Sequence, residues 1–157
     1  MPSWAPYWPS LSSNSSSPLS YTIGGVNLDH VIEAARAASS KAYAPYSNFR
    51  VGAAILTVDG SLYAGCNVEN ASYGLAICAE RNAAARMVAE AANADDRKIQ
   101  LVAVVSPDAA PCFPCGACRQ ALREFGCEEV VVLDASGDLA RYPFSEILPH
   151  AFSPEDL

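Results

Sequence analysis

Leu28, Val31, Ile32, Ala35 and Ala38 recur at helical spacing behind Asn27, a residue type that caps helix starts. This spacing predicts a first helix, ended by Pro45. Phe49 to Thr57 reads as a strand, Val58-Asp59-Gly60 as a turn and Ser61 to Asn67 as a returning strand, so a hairpin is expected. The alanine-rich run from about Cys78 to Ala92 has strong helix propensity. Ile99 to Val105 is an unbroken apolar run, the pattern of a strand covered on both faces. A loop bracketed by Pro111 and Pro114 leads to a second helical stretch, Gly116 to Phe125. Glu129 to Leu133 is another buried strand and Asp134 to Gly137 a turn. A short strand and a helical turn then run on to Pro149.

Strands separated by helices need crossover connections and a sheet covered on both sides. The expected fold is therefore α/β: a three-layer α/β/α sandwich around a mixed, mostly five-stranded sheet. Residues 21–157 form the domain, and no internal repeat divides it. Met1–Ser20 is rich in Ser and Pro and is expected to be a disordered tail. Its Trp4, Tyr7 and Trp8 are the alternative, a short docking motif.

Charge narrows the partners. The chain of 157 residues carries a formal net charge of −7 with ten Lys and Arg, scattered along it. Phosphate-backbone binding rests on clustered cations, so a small neutral or cationic ligand is expected and nucleic acid is not. No apolar stretch approaches the roughly 18 residues of a membrane span. Residues 1–20 hold no Lys, Arg or apolar core of a signal peptide. A reducing, cytoplasmic location is therefore expected, where clustered cysteines bind metal or do chemistry rather than form disulfides.

Six cysteines occur: Cys66, Cys78, Cys112, Cys115, Cys118 and Cys127. Cys115 and Cys118 stand at i, i+3 at a predicted helix start, with both sulfurs on one face. Cys78 begins the earlier helix. Helix N-termini favour thiolate, the metal-binding form. Three protein ligands with an open fourth position describe catalytic zinc; four describe structural zinc. Spacing alone leaves alternatives. Cys66, Cys112 or Cys127 would complete a structural site. A CxxC also serves as a thioredoxin-like redox pair. Cys112, Cys115 and Cys118 match the opening of a ferredoxin-type cluster motif, but Leu122 stands where its fourth cysteine belongs.

Glu80 favours hydrolysis, because a hydrolytic metal site needs a carboxylate that is not a ligand. One geometric demand follows. In a regular helix i and i+2 point about 200° apart, so Cys78 and Glu80 share a site only if Cys78 lies at an irregular first turn.

Three segments resemble one family: Asn67-Val68-Glu69-Asn70-Ala71-Ser72-Tyr73, Ile77-Cys78-Ala79-Glu80-Arg81, and Pro114-Cys115-Gly116-Ala117-Cys118-Arg119-Gln120. Together they are similar to the small homotetrameric zinc-dependent cytidine deaminases of the three-cysteine type. The likeness runs from about residue 27 to the C-terminus, taking in Ala44-Pro45-Tyr46-Ser47 and Pro154-Glu155-Asp156-Leu157.

The resemblance implies one Zn2+ per subunit on Cys78, Cys115 and Cys118. It implies hydrolytic deamination of cytidine and 2'-deoxycytidine by zinc-bound hydroxide at C4, with Glu80 as proton shuttle, in pyrimidine salvage. Arg81 and Arg119 would offset the negative thiolates. Asn67 and Glu69 would hold the ribose, Phe49 would pack against the base, and Ala79 would also bind substrate. Tyr73 and Phe152 would reach a neighbouring subunit's pocket in a homotetramer with shared active sites. Phe113, Gly74, Ala76 and Cys112 depart from the family pattern. Phe113 is a bulky residue beside the expected pocket, and Cys112 an extra thiol near the metal.

Overall fold

The computed structural model describes residues 22–23, 25–153 and 156–157. The Met1–Ser20 stretch, with Trp4, Tyr7 and Trp8, lies outside the described residues, as do Pro154 and Glu155. A small antiparallel ribbon of β1 (Thr22–Ile23) and β2 (Val26–Asn27) opens the domain. Helix α1 (Leu28–Ser39) follows, and Asn27 Oδ1 caps it by accepting from Asp29 N at 2.9 Å. The helix ends five residues short of the proline expected to stop it. Ser39 and Ser40 each turn a hydroxyl back onto a carbonyl of the last turn, Arg36 and Ala37.

The remaining strands and α-helices are β3 (Gly52–Thr57), β4 (Leu62–Cys66), α2 (Ala79–Glu90), β5 (Ile99–Val105), α3 (Gly116–Glu124), β6 (Glu129–Leu133), β7 (Leu139–Pro143) and α4 (Phe144–Ile147). The main sheet has the order β4-β3-β5-β6-β7. Only β5 and β6 run parallel, and α3 supplies their crossover. The other pairs are antiparallel, so the sheet is mixed as expected.

Alternation along β3 builds two cores. Ala54 and Leu56 face α1 with Leu101, Ala103 and Val131. Ala53 and Ile55 face the opposite layer with Val102, Val104, Ala79, Ala83, Met87 and Leu122. Helices thus cover both faces and the sandwich has three layers. Contact with α1 is close: a Cβ at Gly52 would stand 1.9 Å from Ala35 O. Among the described residues no helix is long and apolar enough to cross a membrane.

The first sheet strand is shorter than its apolar pattern suggested. Phe49, Arg50 and Val51 precede it in irregular backbone, after Asn48 with φ 56°. This stretch forms one wall of the candidate site.

Candidate metal centre and cleft

Two helix starts converge behind the second core. Cys78 is the N-cap of α2 and Cys115 the N-cap of α3, both with extended backbone (ψ 156° and 167°). Cys118 lies in the first turn of α3 and is fully buried. Neither capping cysteine spends its side chain on its own helix. All three sulfurs turn to one point, within 4.8 Å of one another, and Cys78 Sγ and Cys115 Sγ stand 3.9 Å apart. A tetrahedral zinc with Zn–S bonds of about 2.3 Å sets its sulfurs about 3.8 Å apart. The group fits that ion in donor softness and in spacing.

The extended N-cap resolves the i, i+2 problem. Cys78 is not helical, so Glu80, in the first turn of α2, turns to the same side. Its residue is 4 % exposed. Burial pushes the Glu80 carboxyl above the usual range, and the Cys78 sulfur adds to this, while a hydrogen bond with Cys118 opposes it. The Cys78 thiol is lowered to about 6, chiefly by its hydrogen bond with Cys118, then by Cys115 and the charge of Arg81. The Cys118 thiol is held up, first by its hydrogen bond with Cys78 and then by burial.

The other thiols are engaged elsewhere. Cys66 Sγ donates to Lys41 O, and Cys127 Sγ to Glu129 O. Cys112 packs against the second core, where burial pushes it up to about 11; burial takes Cys127 to about 12. Among the described residues only Cys78, Cys115 and Cys118 form a metal-sized group, with no fourth protein ligand. Arg119 is half-buried, and its guanidinium is turned to main-chain carbonyls. Its Nε donates to Pro114 O and its Nη1 to Ile147 O, both at 2.8 Å, which fixes the residue leading into Cys115. Phe113 sets its ring edge-on to Tyr142, centroids 5.1 Å apart.

Beyond β4 the chain stays extended. Val68 bridges Tyr43 on one side and Ile77 on the other, bringing residues 67–69 beside the 43–51 loop and the turn into Cys78. Asn67 Nδ2 donates to Phe49 O and its Oδ1 accepts from Val51 N, both at 2.8 Å. Glu69 Oε2 accepts from Tyr46 N and Ser47 N, and Oε1 from Ser47 Oγ. These bonds hold the Glu69 carboxyl below its usual range. Both residues therefore shape the wall that carries Phe49, itself 38 % exposed. On its flank a groove of about 320 Å³ is lined by Tyr46, Ser47, Glu69, Asn70, Tyr73 and Ala76. Tyr73 and Phe152 project outward, 79 % and 60 % exposed. Sequence reasoning singled out neither Asn82, Arg50 nor Asp108, which no local motif marks.

Three soft donors at one point, an unliganded carboxyl beside them and, among the described residues, no fourth protein ligand define a zinc-dependent hydrolytic centre on an α/β/α sandwich. The family model described as cytidine and deoxycytidylate deaminase zinc-binding region matches residues 26–134. A cytidine deaminase of Sporosarcina psychrophila is 40 % identical over 134 residues, covering 84 % of this chain and 96 % of the relative. One from Halalkalibacterium halodurans is 43 % identical over 129 residues, covering 81 % and 95 %. The crystal structure of cytidine deaminase from Burkholderia pseudomallei shares 47 % identity at a TM-score of 0.72, covering 81 % of this chain and all of that one. The chain belongs to the cytidine deaminase family.

Proposed function

We propose that this protein hydrolyses cytidine and 2'-deoxycytidine to uridine and 2'-deoxyuridine with release of ammonia, as a step of pyrimidine salvage. The carrying observation is Glu80, buried on the turn that starts at Cys78. Cys78, Cys115 and Cys118 would hold a zinc ion, which when bound would supply an acidified water, its pKa brought from 15.7 to about 7 in sites of this kind. Glu80 takes one proton from the water that adds at C4 and passes it to N3; it then takes the second from the new C4 hydroxyl and gives it to the amino group, which leaves as ammonia as the C4 carbonyl forms. Such acid–base help contributes about 10²–10⁴ in rate.

Asn67 and Glu69 bind the ribose hydroxyls with the capacity left after they have fixed the wall. A carboxylate accepts about four hydrogen bonds, and Glu69 uses three within the chain. Phe49 packs on the pyrimidine, and the buried Ala79 bounds it at the first turn of α2. Arg81 offsets thiolate charge directly; Arg119 acts by fixing Pro114.

A homotetramer with shared active sites accounts for the exposed Tyr73 and Phe152, each reaching a neighbour's cleft. Sedimentation at four times the 16.5 kDa chain mass checks this; a monomer overturns it. Three thiolate ligands suit a reducing, cytoplasmic setting.

The decisive experiment incubates the zinc-loaded protein with cytidine, 2'-deoxycytidine and cytosine and follows ammonia. Both nucleosides are expected to turn over and the free base to be poor, for want of the ribose contacts. No turnover of either nucleoside with one zinc bound overturns the reading.

A further inference from the structure

The Phe49–Val51 segment belongs to no sheet ladder, yet each of its N–H groups meets a side chain. Phe49 N donates to Ser47 Oγ at 3.0 Å, Val51 N to Asn67 Oδ1 at 2.8 Å and Arg50 N to Asp108 Oδ2 at 2.8 Å. Ser47 and Asn67 come from the same wall. Asp108 comes from just beyond the neighbouring strand β5, whose Val105 pairs with Gly52, in the loop that leads on to Pro114 and Cys115.

The contact is a fork. Arg50 Nη2 donates to Asp108 Oδ1 at 2.8 Å and Nε to Oδ2 at 3.2 Å, while Arg50 N shares that second oxygen. Asp108 is itself anchored, its N–H donating to Oγ of the buried Ser106 at 3.1 Å. Val51, next along the chain, packs with Cys112 against the core cluster that holds Ala79. The fork therefore ties the segment bearing Phe49 to the loop that delivers two metal-facing cysteines. An exposed ion pair adds little to stability, so its main consequence is geometric. A bidentate guanidinium–carboxylate pair fixes orientation as well as distance.

We propose that Asp108 is a positioning residue: through Arg50 it sets the separation between Phe49 and the first turn of α2, across which the pyrimidine ring is held. This rests on the reading of cytidine as substrate.

The test uses full-length, zinc-loaded Asp108→Ala, Asp108→Asn and Arg50→Ala. Loss of a contact that aligns substrate equally in the ground and transition states raises KM and spares kcat. Asp108→Ala is expected to raise KM for cytidine about tenfold and to weaken uridine binding by calorimetry by the same factor. Its kcat should stay within about twofold, with one zinc retained. Asp108→Asn keeps an acceptor for the Arg50 N–H and should recover part of the loss. Arg50→Ala, which keeps that main-chain bond, should likewise fall between wild type and Asp108→Ala. Wild-type KM and uridine affinity in Asp108→Ala overturn the inference. So does a fall of kcat together with zinc content and unfolding temperature, which marks a general folding defect. A wild type that neither turns over cytidine nor binds uridine is a different failure: it refutes the proposed function and takes this inference with it.

Discussion

Asn82 Nδ2 donates to the main-chain carbonyl of Cys66 at 2.8 Å, fastening α2 to the end of β4 just after Glu80. One residue back on that strand, a Cβ at Gly65 would stand 2.5 Å from Ala83 N and 2.8 Å from Ala79 O. The helix that presents Cys78 and Glu80 therefore rests directly on strand backbone, where there is no room for a methyl group.

Gly65→Ala should push that helix off its seat. Overpacking of this kind costs about 1–3 kcal/mol, and a shift of about 1 Å at reacting groups costs about 10²-fold in rate. Thermal unfolding and ammonia release should both show the loss. Wild-type values in the two assays would mean that the seat tolerates the change.

Glu80→Gln keeps the shape of the side chain and removes its capacity to carry a proton. The variant should bind one zinc, retain uridine affinity within a few-fold, and lose at least about 10²–10⁴ of kcat. Metal analysis and single-turnover kinetics check this. Near-normal turnover would remove Glu80 from the proton path.

Cys115→Ala should lose zinc, because two thiolates do not hold it as three do. Cys112→Ala and Cys127→Ala should keep it. Both sulfurs stand outside the group that Cys78, Cys115 and Cys118 form, and Cys127 Sγ donates instead to Glu129 O. Metal content after dialysis against a weak chelator separates the two groups. Full zinc in Cys115→Ala would make another residue a ligand.

Glu69 supplies a pH signature. Its carboxyl is lowered from 4.5 by Ser47 Oγ, then by Tyr46 N and Ser47 N. A depressed carboxyl contributes fully above its ordinary pKa and is lost only as pH falls through the folded value. The ratio of uridine affinities, wild type over Glu69→Gln, should be constant above pH 4.5 and shrink below it. A ratio that declines between pH 7 and 5 would show that Glu69 titrates in the ordinary range or higher.

How far these features were legible in the sequence depends on their range. Ile99–Val105 and Glu129–Leu133 stood out because central strands covered on both faces are apolar at nearly every position. Cys78, Glu80, Cys115 and Cys118 were legible because each lies within one or two turns of a helix start. The start of β3 was misjudged for the opposite reason. Phe49 and Val51 continue an apolar pattern, but Asn67 and Asp108, 16 to 58 residues away, claim the backbone groups that a ladder would use. The end of α1 at Ser39 was misplaced too, because two serine hydroxyls close the helix before Pro45 is reached. The β1–β2 ribbon, two residues to a strand, is too short for any periodicity to register.

The wall around Phe49 has one more consequence. It hangs on the side chains of Ser47, Asn67, Glu69 and Asp108 rather than on sheet pairing, whereas the metal-facing turns are built into helices seated on the sheet. With cytidine held as proposed, single substitutions in the wall would change which molecule is admitted while the reacting centre and its scaffold stay intact. In a lineage, the two would be free to diverge at different rates: chemistry held constant, and the choice of ligand open to selection.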